Sequence, residues 1–397
     1  MKKMSAAKLT LLCAAVYFAG YITRQGITVC LAEMIAAGAF TKQELTACTI
    51  GLFIVYGAGQ IVSGWLGDKV DPVMLMGVGL SVSSIINLLV PFVTSGALLC
   101  AIWCVNGFCQ ALLWPPMARI MIRMLGERYM RSCAHVFLGS SLATMLLYIV
   151  SPVIISRFNW RVVFYCAFGI GIIAAAIWFV CMRGIKFEAE HIQIQKTAGK
   201  KFALPKIPFA VIVIMLCIVA MGMLRDGITT WMPVYIMDTF DISSSSSIMS
   251  GVVLPIFSVV CYELTARLYG KKFKNEMLCV AVEFAVGTLA LCILPSLFDS
   301  SRFAAVLLPA IVVGCMHGAN CMLTAAVPAR FGKSGGAAFY SGLLNFASYV
   351  GAAISTYGIS EISDRIGWHS VTVIWAFVGI VGTLLAVASL PLLKKTQ

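Results

Sequence analysis

Long apolar runs follow one another along nearly the whole of this chain, and no other feature constrains its fold as strongly. Each run has roughly 20 residues, which is enough to cross the ~30 Å hydrocarbon core of a bilayer as a helix. A transmembrane barrel is excluded, because its strands would alternate apolar and polar residues. The sequence predicts an all-α, polytopic membrane protein with twelve spans, at 8–32, 46–66, 73–94, 97–125, 132–156, 162–182, 207–237, 246–269, 277–298, 302–327, 336–360 and 368–393.

The composition agrees with this prediction and narrows the function. Of 397 residues, 60% are hydrophobic and 11% are charged, whereas about a quarter of the residues of an average soluble domain are charged. The net charge of +13 is spread over short connectors, and no basic domain with interleaved aromatic residues suggests nucleic-acid binding. The fifteen cysteines lie mostly within apolar runs and lack metal-ligand spacing, so we interpret them as core residues. We expect no metal or cofactor, and without a nucleophile cluster we expect no enzyme.

The basic residues predict the orientation. Alternating connectors place most Lys and Arg residues on the side of the N-terminus, and cytoplasmic loops carry such an excess. The exceptions are Lys42, Arg157, Arg161, Arg302 and Arg365, together with two arginines inside helices. We therefore predict a multi-pass protein of the cell inner membrane, surrounded by lipid, with both termini cytoplasmic. We expect a monomer.

A polar, basic connector at 183–206 separates six predicted helices (1–182) from six others (207–397). The two halves share a short echo: Arg24-Gln25-Gly26-Ile27-Thr28 in the first helix corresponds to Arg225-Asp226-Gly227-Ile228-Thr229 in the seventh. Parallel repeats of six helices are the architecture of major facilitator carriers, which bind substrate at mid-membrane between the halves. We predict two pseudo-symmetric six-helix bundles with a site between them.

Arg24 and Arg225 are the arginines that lie deep within predicted membrane helices, far from either end. Placing each in a bilayer costs about 3 kcal/mol unless it faces a wet cavity or a partner. Two forked guanidinium groups on opposing halves match a phosphate or carboxylate, which predicts a small anionic substrate. The structural alternative is ion pairing, for instance between Arg225 and Glu283. Asp226 projects about 100° away from its neighbour on the helix and is expected to be a poor partner for Arg225.

Polar residues at helical spacing predict which helix faces line the cavity. The candidate residues are Tyr17, Tyr21, Arg24 and Thr28; Tyr56 and Gln60; Asn106, Gln110 and Trp114; His317, Asn320 and Thr324; and Ser341, Asn345 and Ser348. The alternative is that these side chains only hydrogen-bond neighbouring helices.

Further charged residues are candidates for gating or coupling. Glu283 and Glu263 would carry protons or pair between helices, and pairing is favoured for Glu283. Asp226 is a second coupling candidate, whose simpler role is a salt bridge or a wet vestibule group. Asp68 and Lys69, near Arg119 and Arg123, would latch one side of the carrier or only set its topology.

The chain resembles the organophosphate:phosphate antiporter family, the bacterial glycerol-3-phosphate and hexose-phosphate exchangers. The resemblance rests on Tyr21-Ile22-Thr23-Arg24, Tyr56-Gly57, Gly64-Trp65-Leu66-Gly67-Asp68-Lys69 with Asp71-Pro72, Gln110-Ala111-Leu112-Leu113-Trp114-Pro115-Pro116 with Arg119, and Leu224-Arg225-Asp226-Gly227-Ile228 with Trp231-Met232-Pro233.

This resemblance implies that Arg24 and Arg225 are paired phosphate ligands, that Tyr17, Tyr21 and Tyr56 line the pocket, and that an organic phosphate is exchanged for inorganic phosphate by alternating access. The chain departs from the family pattern in three places: Gln60 replaces a family lysine, the family's helix-five histidine falls near Gly139 to Leu142, and His317 stands where a tyrosine is common. Loss of one or two cationic groups makes the pocket less positive and argues against carrying over a glycerol-3-phosphate preference. A proton-coupled symporter of carboxylates or phosphonates, with Glu283 or Asp226 as the carboxylate, and a transport-incompetent sensor remain open alternatives.

Overall fold

The computed structural model describes residues 4–67, 70–125, 128–184, 207–271, 273, 275–327 and 337–394. Across these ranges the regular structure is helical, without strands. The helices are α1 Ala6–Ala36, α2 Lys42–Gly67, α3 Pro72–Leu89, α4 Gly96–Ala111, α5 Trp114–Leu125, α6 Tyr129–Arg157, α7 Trp160–Met182, α8 Phe209–Phe240, α9 Ser244–Ser250, α10 Val253–Lys271, α11 Glu276–Leu297, α12 Arg302–Cys321, α13 Ala337–Arg365 and α14 Trp368–Lys394. The all-α prediction is confirmed.

Each of the twelve predicted spans coincides with a helix or with a pair of consecutive helices. Within the described ranges, eleven helical stretches are long and apolar enough to cross a membrane by length and composition. The remaining span is α13, which has 29 residues and packs against α2 and α8. Of the predicted linker, only Arg183 and Gly184 fall within the described residues.

Two predicted spans are each divided into two helices. The span 97–125 is interrupted between Ala111 and Trp114, where α5 begins directly before Pro115 and Pro116. Proline cannot donate a backbone hydrogen bond, so α4 cannot continue regularly through this segment. The span 246–269 is likewise divided, at Gly251 and Val252, into α9 and α10. After α12 ends at Cys321, the chain continues as a π-helical turn at Met322–Ala326, which completes the predicted span 302–327.

Short polar side chains begin several helices. Ser5 accepts a hydrogen bond from the backbone N–H of Lys8 at the start of α1. Asp71 caps α3 in the same way and is followed by Pro72 at the first helical position. Asn159 and Asn275 cap α7 and α11. Such caps satisfy N–H groups that have no partner within the helix, and they explain why the helices begin at these residues.

Helices α8 and α13 pack closely together at two glycines. A Cβ atom on Gly222 would lie 2.1 Å from the carbonyl oxygen of Ser348, and one on Gly351 would lie 2.1 Å from that of Val219. Small residues allow helix backbones in membranes to pack at short range. This contact holds Ser348 beside α8, one turn of helix from Arg225.

Because successive spans alternate in direction, the start of α1 and the end of α14 lie on one side of the bundle, the terminal face. The opposite side is the distal face. There Lys42 of α2 bridges to Asp364 of α13 at 2.7 Å, and its ammonium lies 5.2 and 5.3 Å from the ring centroids of Trp231 and Trp368. Ser244 also donates a hydrogen bond to Glu33. The two halves are thus joined by charged and polar contacts at the distal face.

Candidate functional site

A cavity of about 470 Å³ lies between the two halves of the chain. Helices from both halves contribute to it, and its polar lining includes the two intramembrane arginines. Of the predicted ligands, the structure places the following on its wall: Tyr17, Tyr21, Arg24, Tyr56, Gln60, Trp114, Arg225, His317, Asn320 and Asn345, together with the predicted coupling residue Asp226. Residues separated by more than 300 positions in the chain therefore meet at one cavity, and their roles as ligands remain predictions.

Arg24 occupies the N-terminal half of the cavity among aromatic rings. Its guanidinium carbon lies 4.2 Å from the ring centroid of Tyr56, 5.5 Å from that of Tyr349 and 5.7 Å from that of Tyr21. These distances are within the range of cation–π attraction. Among the described residues, no carboxylate lies within ion-pair distance of Arg24. Its positive charge is therefore held by aromatic faces and remains uncompensated by an anion.

Arg225 occupies the C-terminal half of the cavity and has a different environment. Its Nε donates to Oδ1 of Asp226 at 3.0 Å, and its Nη2 donates to Oδ2 at 2.6 Å and to the hydroxyl of Ser348 at 3.1 Å. The prediction that Asp226 is a poor partner is wrong. The 100° separation applies to the Cβ directions, whereas the long arginine side chain reaches back across the helix surface to the neighbouring carboxylate.

Tyr349 is a lining residue that the sequence analysis missed. Its ring lies 5.5 Å from the guanidinium carbon of Arg24 and 6.0 Å from that of Arg225, and it packs edge-on against Tyr56 at 4.7 Å. Tyr349 thus stands between the two arginines. A signal was present, because Tyr349 follows the predicted lining residue Asn345 by four positions and lies on the same helix face.

Aromatic rings connect the two halves nearer the terminal face. Tyr17 packs against Trp114 at 5.5 Å, and Trp114 packs against Phe137 at 4.8 Å. Phe137 of α6 stacks on Tyr262 of α10 with ring centroids 6.3 Å apart and planes inclined by 5°. Phe137 and Tyr262 were also missed, since a single aromatic residue in an apolar run gives no sign that it faces a cavity.

His317 and Asn320 present hydrogen-bond acceptors on α12. Nδ1 of His317 lies 2.9 Å from the carbonyl oxygen of Val313, which can only accept, so Nδ1 carries the proton. In the neutral ring Nε2 is then an acceptor. The buried Oδ1 of Asn320 has no hydrogen-bond partner among the described residues. This wall of the cavity therefore presents the Nε2 acceptor of His317, beside the hydroxyl groups of Ser258 and Tyr262, which can donate or accept.

Gln60 and Asn345 join the halves beside the cavity. The Nδ2 group of Asn345 donates to Oε1 of Gln60, linking α13 to α2. Both residues lie about one helical turn from Tyr349 and Tyr56, on the side of the terminal face. Both residues line the cavity, as the spacing of polar residues along α2 and α13 predicted.

Gln110 is a predicted lining residue that the structure places elsewhere. It is buried within the N-terminal half, where its Nε2 group donates to the hydroxyl oxygens of Thr23 at 2.9 Å and Ser83 at 2.7 Å. Asn106, one turn earlier, similarly donates to the carbonyl oxygen of Thr23 at 3.1 Å. For these two residues the alternative interpretation, hydrogen bonding between neighbouring helices, is the one observed.

Glu283 also lies away from the cavity. It accepts a hydrogen bond from Thr265 and packs close to Gly318, so α10, α11 and α12 surround it. The alternative of an ion pair between Glu283 and Arg225 is not observed, because Arg225 pairs with Asp226 instead. Glu263 forms an exposed pair with Arg267 at 3.5 Å. The hydrogen bond from α10 to α11 agrees with the interpretation of Glu283 as an interhelical residue.

The predicted gating network is described in part. Asp68 and Lys69 lie outside the described residues. Arg119 is half-buried on α5 and is not among the residues that line the cavity. The distal bridge between Lys42 and Asp364 was not predicted, since it joins residues of opposite halves that no local pattern connects.

Comparison with known proteins identifies the family. Residues 13–356 match the Major Facilitator Superfamily. The chain is 21% identical over 381 residues to a probable hexose phosphate transport protein of Chlamydia muridarum, an alignment that covers 88% of this chain and 83% of the relative. It is 23% identical over 415 residues to the membrane sensor protein UhpC of Salmonella typhimurium, covering 94% and 88%, and 22% identical over 345 residues to the glycerol-3-phosphate transporter of Bacillus subtilis, covering 80% and 77%.

Solved structures share the fold at low sequence identity. A POT family transporter in complex with 5-aminolevulinic acid superimposes with a TM-score of 0.76 and 14% identity over 96% of both chains. A mutant of the nucleoside transporter NupG gives 0.75 and 14%, covering 96% of this chain and 99% of that one. The relatives confirm the resemblance to the organophosphate:phosphate antiporters that the motifs indicated. The chain belongs to the Major Facilitator Superfamily and is a multi-pass membrane transport protein.

Proposed function

We propose that this protein exchanges a small organic phosphate for inorganic phosphate by alternating access, with Arg24 as the principal ligand of the phosphate group. The observation that carries the proposal is the uncompensated guanidinium of Arg24 in a cavity between the two halves. A charge at mid-membrane costs about 3 kcal/mol without a partner. A bound phosphate supplies that partner through charge-assisted, forked hydrogen bonds. Relatives named for hexose phosphate and glycerol-3-phosphate transport support this substrate class.

Arg225 acts as the second anion ligand through the part of its guanidinium that Asp226 leaves uncommitted. Tyr349 contacts both arginines and positions the substrate between them. The bound anion contacts helices of both halves. It favours the closed arrangement of the halves only if the anion binds this arrangement more tightly than the open one. Exchange then follows because the unloaded carrier, with Arg24 uncompensated, rarely changes its open side.

The two halves move as units, 1–182 and 207–397, about the cavity, with 183–206 as their linker. We place the terminal face in the cytoplasm of the cell that carries the protein in its inner membrane, because the connectors on that side contain most of the lysines and arginines. The distal face then faces outward, and the pair of Lys42 and Asp364 closes the outer side. The protein works as a monomer.

Exchange in proteoliposomes tests the proposal. Vesicles loaded with inorganic phosphate are given labelled phosphate outside, and uptake is followed for the wild type, Arg24→Ala and Arg24→Lys. Arg267→Ala is the matched control, because Arg267 is an exposed arginine in a pair on α10. We expect counterflow to be lost in Arg24→Ala and retained in the control. Folded wild-type protein without phosphate counterflow would contradict the proposal.

A sensor of the same fold is the second candidate, because one relative over most of the chain is named a membrane sensor protein. A sensor would bind phosphate compounds without counterflow. Proton-coupled symport is tested in the same vesicles, since a pH gradient would then drive uptake without internal phosphate. Asp226 is the carboxylate to neutralise in that test, because it lines the cavity whereas Glu283 does not.

A further inference from the structure

The lining of the cavity has an uneven distribution of charge. Among the described lining residues, the charged groups are the guanidinium groups of Arg24 and Arg225 and the carboxylate of Asp226. With His317 neutral, these groups leave one net positive charge. A substrate with one net negative charge, such as dihydrogen phosphate, neutralises this charge. A substrate that carries two negative charges and no positive charge would instead leave the loaded cavity with an excess negative charge, which is unfavourable within a membrane.

Asp226 also occupies the edge of Arg225 that a phosphate would use. The two carboxylate oxygens accept from Nε and Nη2, and Ser348 accepts from Nη2 as well. These are the parallel donors of a forked, bidentate contact. A substrate phosphate cannot take the same donors without displacing the carboxylate. Arg24, which has no carboxylate partner among the described residues, is the available anion site.

The wall next to Arg225 is rich in acceptors. It presents the carboxylate of Asp226, with a side chain that is 19% exposed, and the cavity-lining residues His317 and Asn320 of α12, which packs against α8. His317 offers Nε2 when neutral, and the buried Oδ1 of Asn320 lacks a donor in the described part of the chain. Each oxygen of the Asp226 carboxylate can accept a further hydrogen bond, and Nε2 of neutral His317 can accept one, so these two residues favour a ligand that supplies N–H groups.

The geometry points to a substrate that carries an ammonium group in addition to its phosphate or phosphonate group. The anionic group binds Arg24 among the tyrosines, and the ammonium group donates its three hydrogen bonds to the acceptors around Asp226. Such a molecule, with a doubly charged phosphate and one ammonium, matches the net charge of the cavity. This inference rests on the proposed function and deepens it by naming the substrate class.

A matched pair of inhibitors tests the inference in the phosphate counterflow assay. 2-Aminoethyl phosphate and n-propyl phosphate have nearly the same shape, but only the first has an ammonium group. We expect 2-aminoethyl phosphate to compete at least about tenfold better in the wild type, since even one net charge-assisted hydrogen bond contributes roughly that factor. 2-Hydroxyethyl phosphate, which has a neutral donor, should fall between them.

The variant Asp226→Asn should reverse this order. Loss of the carboxylate weakens binding of 2-aminoethyl phosphate, whereas release of Arg225 strengthens binding of n-propyl phosphate. Asn320→Ala is a second variant, expected to weaken only the amine and by about threefold. Equal competition by the two phosphates in an actively exchanging wild type would overturn the inference and leave the exchange proposal intact.

If phosphate counterflow is absent, the exchange proposal fails, and ligand-induced thermal stabilisation of the purified protein then decides the inference separately. A ligand that binds the folded state raises the unfolding temperature according to its affinity. Greater stabilisation by 2-aminoethyl phosphate than by n-propyl phosphate at equal concentration supports the inference. Equal stabilisation by the two, or none by either at millimolar concentration, contradicts it.

Discussion

The two arginines occupy corresponding positions in the two sequence repeats but meet different surroundings. Arg24 faces the rings of Tyr21, Tyr56 and Tyr349 without a carboxylate partner in the described structure, whereas Arg225 is bound on one edge by Asp226. Arg225 is also the more buried of the two. Each sequence repeat thus provides one arginine. The residues around Arg24 leave it available to an anion, whereas Asp226 compensates the charge of Arg225.

Pseudo-symmetry of the sequence therefore does not imply symmetry of function. The quadrupole of a tyrosine ring attracts a guanidinium group, but the ring face leaves the N–H donors of the guanidinium available. A carboxylate attracts the cation more strongly and occupies those donors. The half that contains Arg24 is therefore suited to receive an anion, and the half that contains Arg225 is suited to receive a donor.

The largest effect is expected from Arg24→Ala. Removal of the uncompensated charge should reduce phosphate exchange more than 100-fold, corresponding to about 3 kcal/mol, with partial recovery in Arg24→Lys. Initial rates of labelled-phosphate uptake, normalised to reconstituted protein, measure this effect. A reduction of less than tenfold would remove Arg24 from its proposed role.

Arg225→Ala should also reduce exchange, by 10- to 100-fold, partly because a second anion ligand is lost and partly for a reason that does not apply to Arg24. The substitution leaves Asp226 as an unpaired carboxylate in a cavity that receives anions. Adding Asp226→Asn should therefore restore exchange at least fivefold in the double variant. The same second substitution should not restore Arg24→Ala. Equal rescue of both arginine variants would show that the two halves are equivalent.

Tyr349 contacts both arginines, so its substitution tests how the aromatic ring supports each of them. Tyr349→Leu should raise the phosphate concentration at half-maximal exchange about fivefold, since the cation–π contribution is about 1 kcal/mol at a partly desolvated site. Tyr349→Phe keeps the ring and should raise it less than twofold. If the two variants are equally impaired, the phenolic hydroxyl rather than the ring face supports the arginines.

At the distal face, Asp364→Asn should change exchange about two- to fivefold, because the bridge to Lys42 affects one closed state of the carrier rather than substrate contacts. The maximal rate should change while the half-maximal phosphate concentration is nearly constant. A double-mutant cycle with Lys42→Met isolates the coupling between the two side chains. Additive effects would exclude the bridge as a distal closure.

The smallest effect is expected from Glu283→Gln. Glu283 accepts its hydrogen bond from Thr265 outside the cavity, and glutamine retains an acceptor oxygen there. Phosphate exchange should remain within twofold of the wild type, with or without a pH gradient. A tenfold loss that depends on the pH gradient would instead identify Glu283 as a coupling residue.

Much of the cavity could be predicted from sequence, because polar residues that recur every three or four positions in an apolar helix share one face. Helical spacing predicted that Arg24, Tyr56, His317 and Asn345, from four different helices, line one cavity, where the structure places them. It failed for Gln110, because the same spacing serves hydrogen bonds inside a helix bundle. It also failed for Tyr349, whose residue type is equally common in a core and at a cavity.

The all-α membrane fold and the presence of one deep arginine in each repeat follow from the amino-acid sequence, which also predicts two six-helix halves. These features depend on run length, hydropathy and repetition, which are local properties of the chain. Only the tertiary structure decided that Arg225 pairs with Asp226, that Arg24 lies among tyrosines, and that Lys42 meets Asp364. Those outcomes depend on how long side chains bend and on which helices become neighbours, and neither is specified by spacing along a single helix.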